Sequence, residues 1–145
     1  MADSKAYGVE LDSISGRIAQ QLYPQSAIQV NGFEKTHFQD NAFVAAVGNV
    51  PFGDFSVYDA AYDSHHFLIH DYFFAKTLDK VCPGGIVALI TSKGTMDKEN
   101  ASVRQYLAER AELLEQSGCP TLPLSMLPAP KSPQTFCFCG NGQNQ

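Results

Sequence analysis

The sequence predicts an α/β fold in which helices cover both faces of a largely buried parallel sheet. Three observations carry this. The run "AFVAAVGN" (42–49) is apolar on both faces, as a central parallel strand must be. "IVALIT" (86–91) is a second such run. Between and around them, strand-like and helix-like periods alternate in the order β-α-β-β-α-β-α, which builds layered sheets rather than bundles or sandwiches.

Each element has a local reason. "AYGVEL" (6–11) is a short apolar strand ending in acids. Asp12 or Ser13 can cap a helix through Ile14, Arg17, Ile18, Gln21 and Leu22, which Pro24 stops. "AIQVNGF" (27–33) reads as the second strand and 42–49 as the third. After a loop over 50–63, Ser64 can cap a long helix to Val81, with Phe67, Tyr72, Phe74, Ala75, Leu78 and Val81 near helical spacing. "CPGG" then ends that helix, 86–91 forms the fourth strand, and Asn100 or Ser102 opens a last helix through Leu107, Ala111 and Leu114.

Residues 115–145 differ from this pattern. They hold five of the eight prolines and three of the four cysteines, and Lys131 is their only charge after Glu115. They read as an irregular tail on a partial domain over 1–114. Read one base out of frame with suitable synonymous codons, the tail gives a string of domain-like composition. A one-base deletion near the Leu114 codon would therefore produce it.

The net charge of −5 argues against coating nucleic acid by charge alone. No signal peptide and no run of about 18 apolar residues is visible, so a cytoplasmic location without membrane insertion is the expectation. Cys137 and Cys139 form a C-x-C pair without further ligands, and His66, His70 and Asp63 read as a solvated or capping cluster, so no metal is expected.

The stretch "GNVPFG" (48–53) places an amide, a proline and an aromatic ring together at a strand end. It resembles the Asn-Pro-Pro-Phe/Tyr turn of N6-adenine DNA methyltransferases, with Val50 replacing the first proline. In the resemblance, Asn49 and the Val50 carbonyl would accept hydrogens from the target amine, Pro51 would fix the turn and Phe52 would stack on a flipped base. "GVELD" resembles the segment whose acid binds the ribose of S-adenosyl-L-methionine, making Glu10 the match. "NGFEKT" is similar to the segment near the cofactor's adenine, making Phe33 and Glu34 candidates. With "TSKGTMDK" included, residues 7–114 resemble the methylase part of large helicase–methylase fusion proteins of bacterial mobile elements and phages.

The resemblance implies a fragment of a Rossmann-like class I methyltransferase that would act on adenine in DNA by direct displacement at the sulfonium methyl. Its first strand and glycine-rich loop do not precede "GVELD", so Met1 would be an internal methionine of a longer protein. That strand would lie between "GVEL" and "FVAAV", and its loss would leave a gap exposing two strand edges. The chain alone would then bind cofactor poorly and be inactive. Alternatives stand beside this reading. The chain can be a non-catalytic remnant or a partner subunit, or act on an RNA or protein amine. The Asn-x-Pro-Phe turn can be a turn with a core-packing ring, Glu10 and Glu34 can be solvated, and Lys93 and Lys98 can meet phosphate or nothing specific.

Overall fold

The computed structural model describes residues 4–51, 53–91, 101–117 and 135–140 of the 145-residue chain. The chain divides into two compact units, residues 1–37 and 38–145.

The first unit is a β-α-β motif. Strand β1 (Tyr7–Glu10) pairs in parallel with β2 (Ala27–Val30), from Tyr7 opposite Ala27 to Glu10 opposite Val30. Parallel neighbours need a crossover, here helix α1 (Ser13–Leu22). The Asp12 carboxylate accepts the Ser15 N–H at 2.7 Å, capping the helix as its position predicts. Gly16 is buried against β2, where an added Cβ would lie 2.8 Å from Val30 Cγ2. The helix and strand therefore approach closely only because that residue is glycine. Ile14, Ile18 and Leu22 form a stripe at i, i+4, i+8, yet each is more than half exposed. The second strand stops at Val30, short of the expected 33, because Phe33–Lys35 winds into a 3-10 turn closed by Thr36 N–H to the Phe33 carbonyl.

The second unit holds a four-stranded parallel sheet in the order β3-β4-β6-β5. Its strands are β3 (Phe43–Asn49), β4 (Val81–Thr91), β5 (Glu112–Ser117) and β6 (Thr135–Gly140). Helix α2 (Ile69–Lys80) crosses from β3 to β4, and α3 (Ala101–Ala108) lies between β4 and β5 in sequence. Tyr72, Phe74 and Leu78 of α2, with Val81 and Val87 of β4, are fully buried and form the centre of the core. Among the described residues, no helix is long and apolar enough to cross a membrane.

Further expectations are corrected. The last helix does not run through Ala111 and Leu114: it ends at Ala108, and Glu112–Ser117 forms strand β5. Helix α2 begins at Ile69 rather than Ser64: Asp63–His65 is a 3-10 turn, and His66 sits in the left-handed region (φ 51°), which interrupts a right-handed helix. "CPGG" does not separate helix from strand. Helix α2 ends at Lys80 and the chain passes straight into β4, with the glycines absorbed where register slips between Phe43–Val81 and Ala45–Ile86. The apolar run of β3 has the composition of a central strand yet lies at the edge of the described sheet, where a missing first strand would leave an exposed edge, and Val44 and Val47 are 76% and 81% exposed. The tail is not wholly irregular: 135–140 is β6, inserted between β4 and β5. "TFCFCG" is free of proline and rich in β-formers, so this short stretch can pair on both sides although its surroundings are proline-rich.

The two units carry separate sheets, and no described strand joins them.

Candidate functional site

The loop after β3 builds the most organised polar and aromatic cluster of the second unit. Asn49 ends β3 and is exposed. Val50 is 3% exposed, and its N–H donates to the Ile90 carbonyl at 3.0 Å, extending the strand pairing by one residue. Pro51 is exposed, and Phe52 lies outside the described residues. The chain then runs along α2, where the Ile69 N–H donates to the Phe55 carbonyl at 2.8 Å.

Asp59 organises the rest. Its carbonyl accepts the Tyr62 and Asp63 N–H groups at 2.8 and 2.9 Å, and its own N–H donates to Asp63 Oδ1 at 3.2 Å. One carboxylate oxygen, Oδ1, accepts the Ala61 N–H at 3.2 Å. The other, Oδ2, accepts the Tyr72 hydroxyl at 2.7 Å and Lys76 Nζ at 2.8 Å. Lys76 Nζ also donates to the Tyr72 hydroxyl at 3.1 Å. Burial alone would raise the Asp59 pKa. The hydrogen bonds from Lys76, Tyr72 and the Ala61 N–H outweigh it and hold the carboxyl below its ordinary value of 3.8.

A second tether lies alongside. The Tyr62 hydroxyl donates to Asp79 Oδ2 at 2.7 Å, and Arg110 Nε reaches Asp79 Oδ1 at 3.5 Å. Burial, and then the Asp79 carboxylate, push the Tyr62 pKa far above its ordinary 10.0. The Arg110 guanidinium lies 3.5 Å from the centre of the Tyr106 ring, a cation–π contact. His65 stacks on Phe67 with centroids 5.0 Å apart, and Tyr106 meets both rings edge-on.

Beside these residues lies an open cleft of about 350 Å³, lined among others by Tyr58, Tyr62, Asp63, His66, Phe67 and Tyr72. It sits on the loop that follows the carboxyl end of β3. Open parallel sheets place their ligand sites at such ends. Tyr58 and His66 are its exposed rings, the rings of Tyr62, Phe67 and Tyr72 are buried, and the Asp63 carboxylate gives an acceptor. The cleft suits a flat, apolar-faced ligand with hydrogen-bond donors on its edge.

The sequence candidates distribute unevenly. Asn49, Val50 and Pro51 lie a few residues before the cleft residues, in the same unit. Glu10, Phe33 and Glu34 belong to the other unit. Glu10 is half-buried at the end of β1, with Oε1 accepting the Asp12 N–H at 2.9 Å. Phe33 and Glu34 lie in the 3-10 turn, where the Glu34 carboxylate covers Gly32. These residues are of the right type for a ribose and an adenine face. Yet one Glu10 oxygen is already engaged, and no glycine-rich turn lies beside it among the described residues. Among the described residues they do not complete a site for S-adenosyl-L-methionine. His66 and His70 do not share a helix face: His66 precedes α2 and is exposed, whereas His70 is buried within it. Lys93 and Lys98 fall outside the described residues.

Asp59, Tyr62, Tyr72 and Lys76 are the residues that sequence reasoning missed. The available signal was Tyr72 and Lys76 at i, i+4, which places both on one helix face.

No protein-family model matches this chain, and no solved structure matches it. It is similar to "Defense against restriction protein B" of Escherichia phage P1, with 33% identity over 118 residues, 77% of this chain and 5% of that protein. The chain thus spans about a twentieth of the length of the curated relative it matches. These findings overturn the assignment to adenine-N6 DNA methyltransferases and to the methylase part of fusion proteins. No methyltransferase model matches, and the relative is named for defence against restriction. The physical reason lies in Val50. The residue that departs from the Asn-Pro-Pro-Phe pattern is a buried core residue bonded to β4, so packing accounts for much of what the motif explained.

Proposed function

We propose that this chain is part of a protein that protects DNA against restriction, and that its second unit receives one unstacked nucleobase of that DNA. The aromatic cleft after β3 carries the reading. A nucleobase is flat, apolar on its faces and polar at its edge, which matches rings around a single carboxylate. The relative's name supports the functional context, because restriction acts on DNA.

Affinity comes from stacking and edge hydrogen bonds more than from phosphate contacts, because the chain is acidic.

The test is a fluorescence-anisotropy titration of labelled single-stranded and duplex oligonucleotides of one sequence. Binding to the single strand, weakened roughly 5- to 100-fold by Tyr58→Ala, supports the reading. Tyr58 is 78% exposed, so the fold should tolerate its loss. Equal binding of single strand and duplex, insensitive to Tyr58→Ala, would contradict it.

A further inference from the structure

Strand β3 has one paired side and one open side. It ends the sheet order β3-β4-β6-β5, so among the described residues only β4 pairs with it. The Val50 N–H donates to the Ile90 carbonyl, which fixes the direction of the residues before it. Backbone groups alternate sides along a strand. The N–H and carbonyl groups of Ala46 and Gly48 therefore point to β4, and those of Ala45, Val47 and Asn49 point away from it. Val44 and Val47 stand on opposite faces of this edge, and both are largely exposed. On the Val47 face the exposure continues onto β4 at Ile86 and Ile90, whereas Val87 and Leu89, on the other face, are buried.

Edge strands of monomers are ordinarily blunted by lysine, proline or another charge. Strand β3 carries none of these. It reads "FVAAVGN", its neighbour β4 reads "VCPGGIVALIT", and neither holds a charged residue. The register slip of β3 lies at its start, between Phe43 and Ala45, and leaves 45–49 regular. The chain as a whole carries a net charge of −5, which sets copies against one another. Along β3 and β4 that repulsion has no local source. The edge is also self-complementary. A two-fold axis perpendicular to the sheet lays β3 antiparallel to its own copy, and outward N–H groups then meet outward carbonyls. An uncharged edge offers nothing for a charged partner to recognise.

We propose that a second copy of this chain covers the open side of β3. The two β3 strands pair antiparallel and join two four-stranded sheets into one. Both copies then present Val47, Ile86 and Ile90 on the same face of the joined sheet, as one apolar strip. Seven residues a side is well below the roughly 20–30 of a standard interface. The dimer is therefore weak, with a dissociation constant on the order of 1–100 μM.

The experiment combines analytical ultracentrifugation of the full chain, over about 1–300 μM, with amide hydrogen exchange at the two ends of that range. A monomer–dimer equilibrium is expected. Exchange at Ala45, Val47 and Asn49 should slow about tenfold or more as the dimer forms, while Ala46 and Gly48 stay protected throughout. Val47→Lys places like charges close together across the two-fold axis and should raise the dissociation constant about tenfold or more. Its exposed position leaves the pairing with β4 intact, so Ala46 and Gly48 should keep their protection in the variant. A chain that stays monomeric overturns the proposal, whether the outward amides exchange fast (an open edge) or slowly (an edge covered within the chain). So does a dimer whose formation leaves those amides unchanged, association that grows past the dimer, or a folded Val47→Lys that dimerises as the parent does. The concentration dependence is read on the parent, so it decides the matter even if Val47→Lys does not fold.

Discussion

Gly85 shows how little room single positions leave in the second unit. A Cβ there would meet the Val44 carbonyl oxygen at 2.8 Å, the Cys82 carbonyl oxygen at 2.9 Å and Val81 Cγ1 at 2.5 Å. Two of these three are backbone atoms and cannot rotate away. Gly85→Ala should therefore destabilise the unit by about 1–3 kcal/mol, measured by denaturant unfolding. Tyr62 makes a prediction of another kind. Its folded pKa is raised above the ordinary 10.0, so its contribution to stability is complete below that value. As pH climbs past about 10, the unfolded phenol ionises first and the contribution is lost. Thermal unfolding followed from pH 8 to 11 should show a falling midpoint, and Tyr62→Phe should flatten that fall. Asp59 has the opposite sign: its folded pKa lies below 3.8, so its contribution is lost as pH drops through that region. Residue-scale reading of the sequence locates the strand end at Asn49 and narrows the cap to Asp12 or Ser13, because both follow from local chemistry. It passed over Lys76, since a lysine in a helix ordinarily points to water, and only tertiary contacts reveal that this one is buried.

At the scale of elements, β6 is the critical piece. It pairs with β4 along Ile86–Thr91 and with β5 along Glu112–Ser117, so β5 reaches the sheet only through it. A chain ended at Ser117 should leave β4 with an open edge and β5 without its partner. The expected outcome is loss of β-sheet circular dichroism and association beyond the parent's on size-exclusion chromatography. Retention of the parent's size and spectrum would show that β6 is dispensable. The elements were legible where a local stop signal exists. Pro24 follows the end of α1 closely, and the apolar run 86–91 lies within β4. Two failures have physical causes. The start of α2 depends on His66 entering the left-handed region, which histidine adopts rarely and which no pattern of apolar residues announces. β6 is hidden because the composition of the proline-rich segment around it obscures six residues of good strand former.

For the whole molecule, acidity is the main constraint on how the proposed base-binding cleft would meet DNA. With a net charge of −5, few phosphates can be neutralised, so counterion release contributes little. The slope of log affinity against log salt should have a magnitude below about 2, in contrast to the steep dependence of a basic DNA-binding surface. Titrations between 50 and 200 mM salt, about a half-decade of concentration, read this directly. The α/β class was legible at this scale from alternating periods. The division into two units with separate sheets was expected only as a gap in a single sheet. The function was not legible from the turn motif, because four residues at a strand end serve packing as readily as chemistry.

The most direct test of the base-binding cleft is one anisotropy experiment at low salt. A labelled single strand and its duplex are titrated with the full chain and with Tyr58→Ala. The single strand should bind more tightly than the duplex, and the variant should lose this preference. Binding that ignores strandedness and survives Tyr58→Ala unchanged would contradict it.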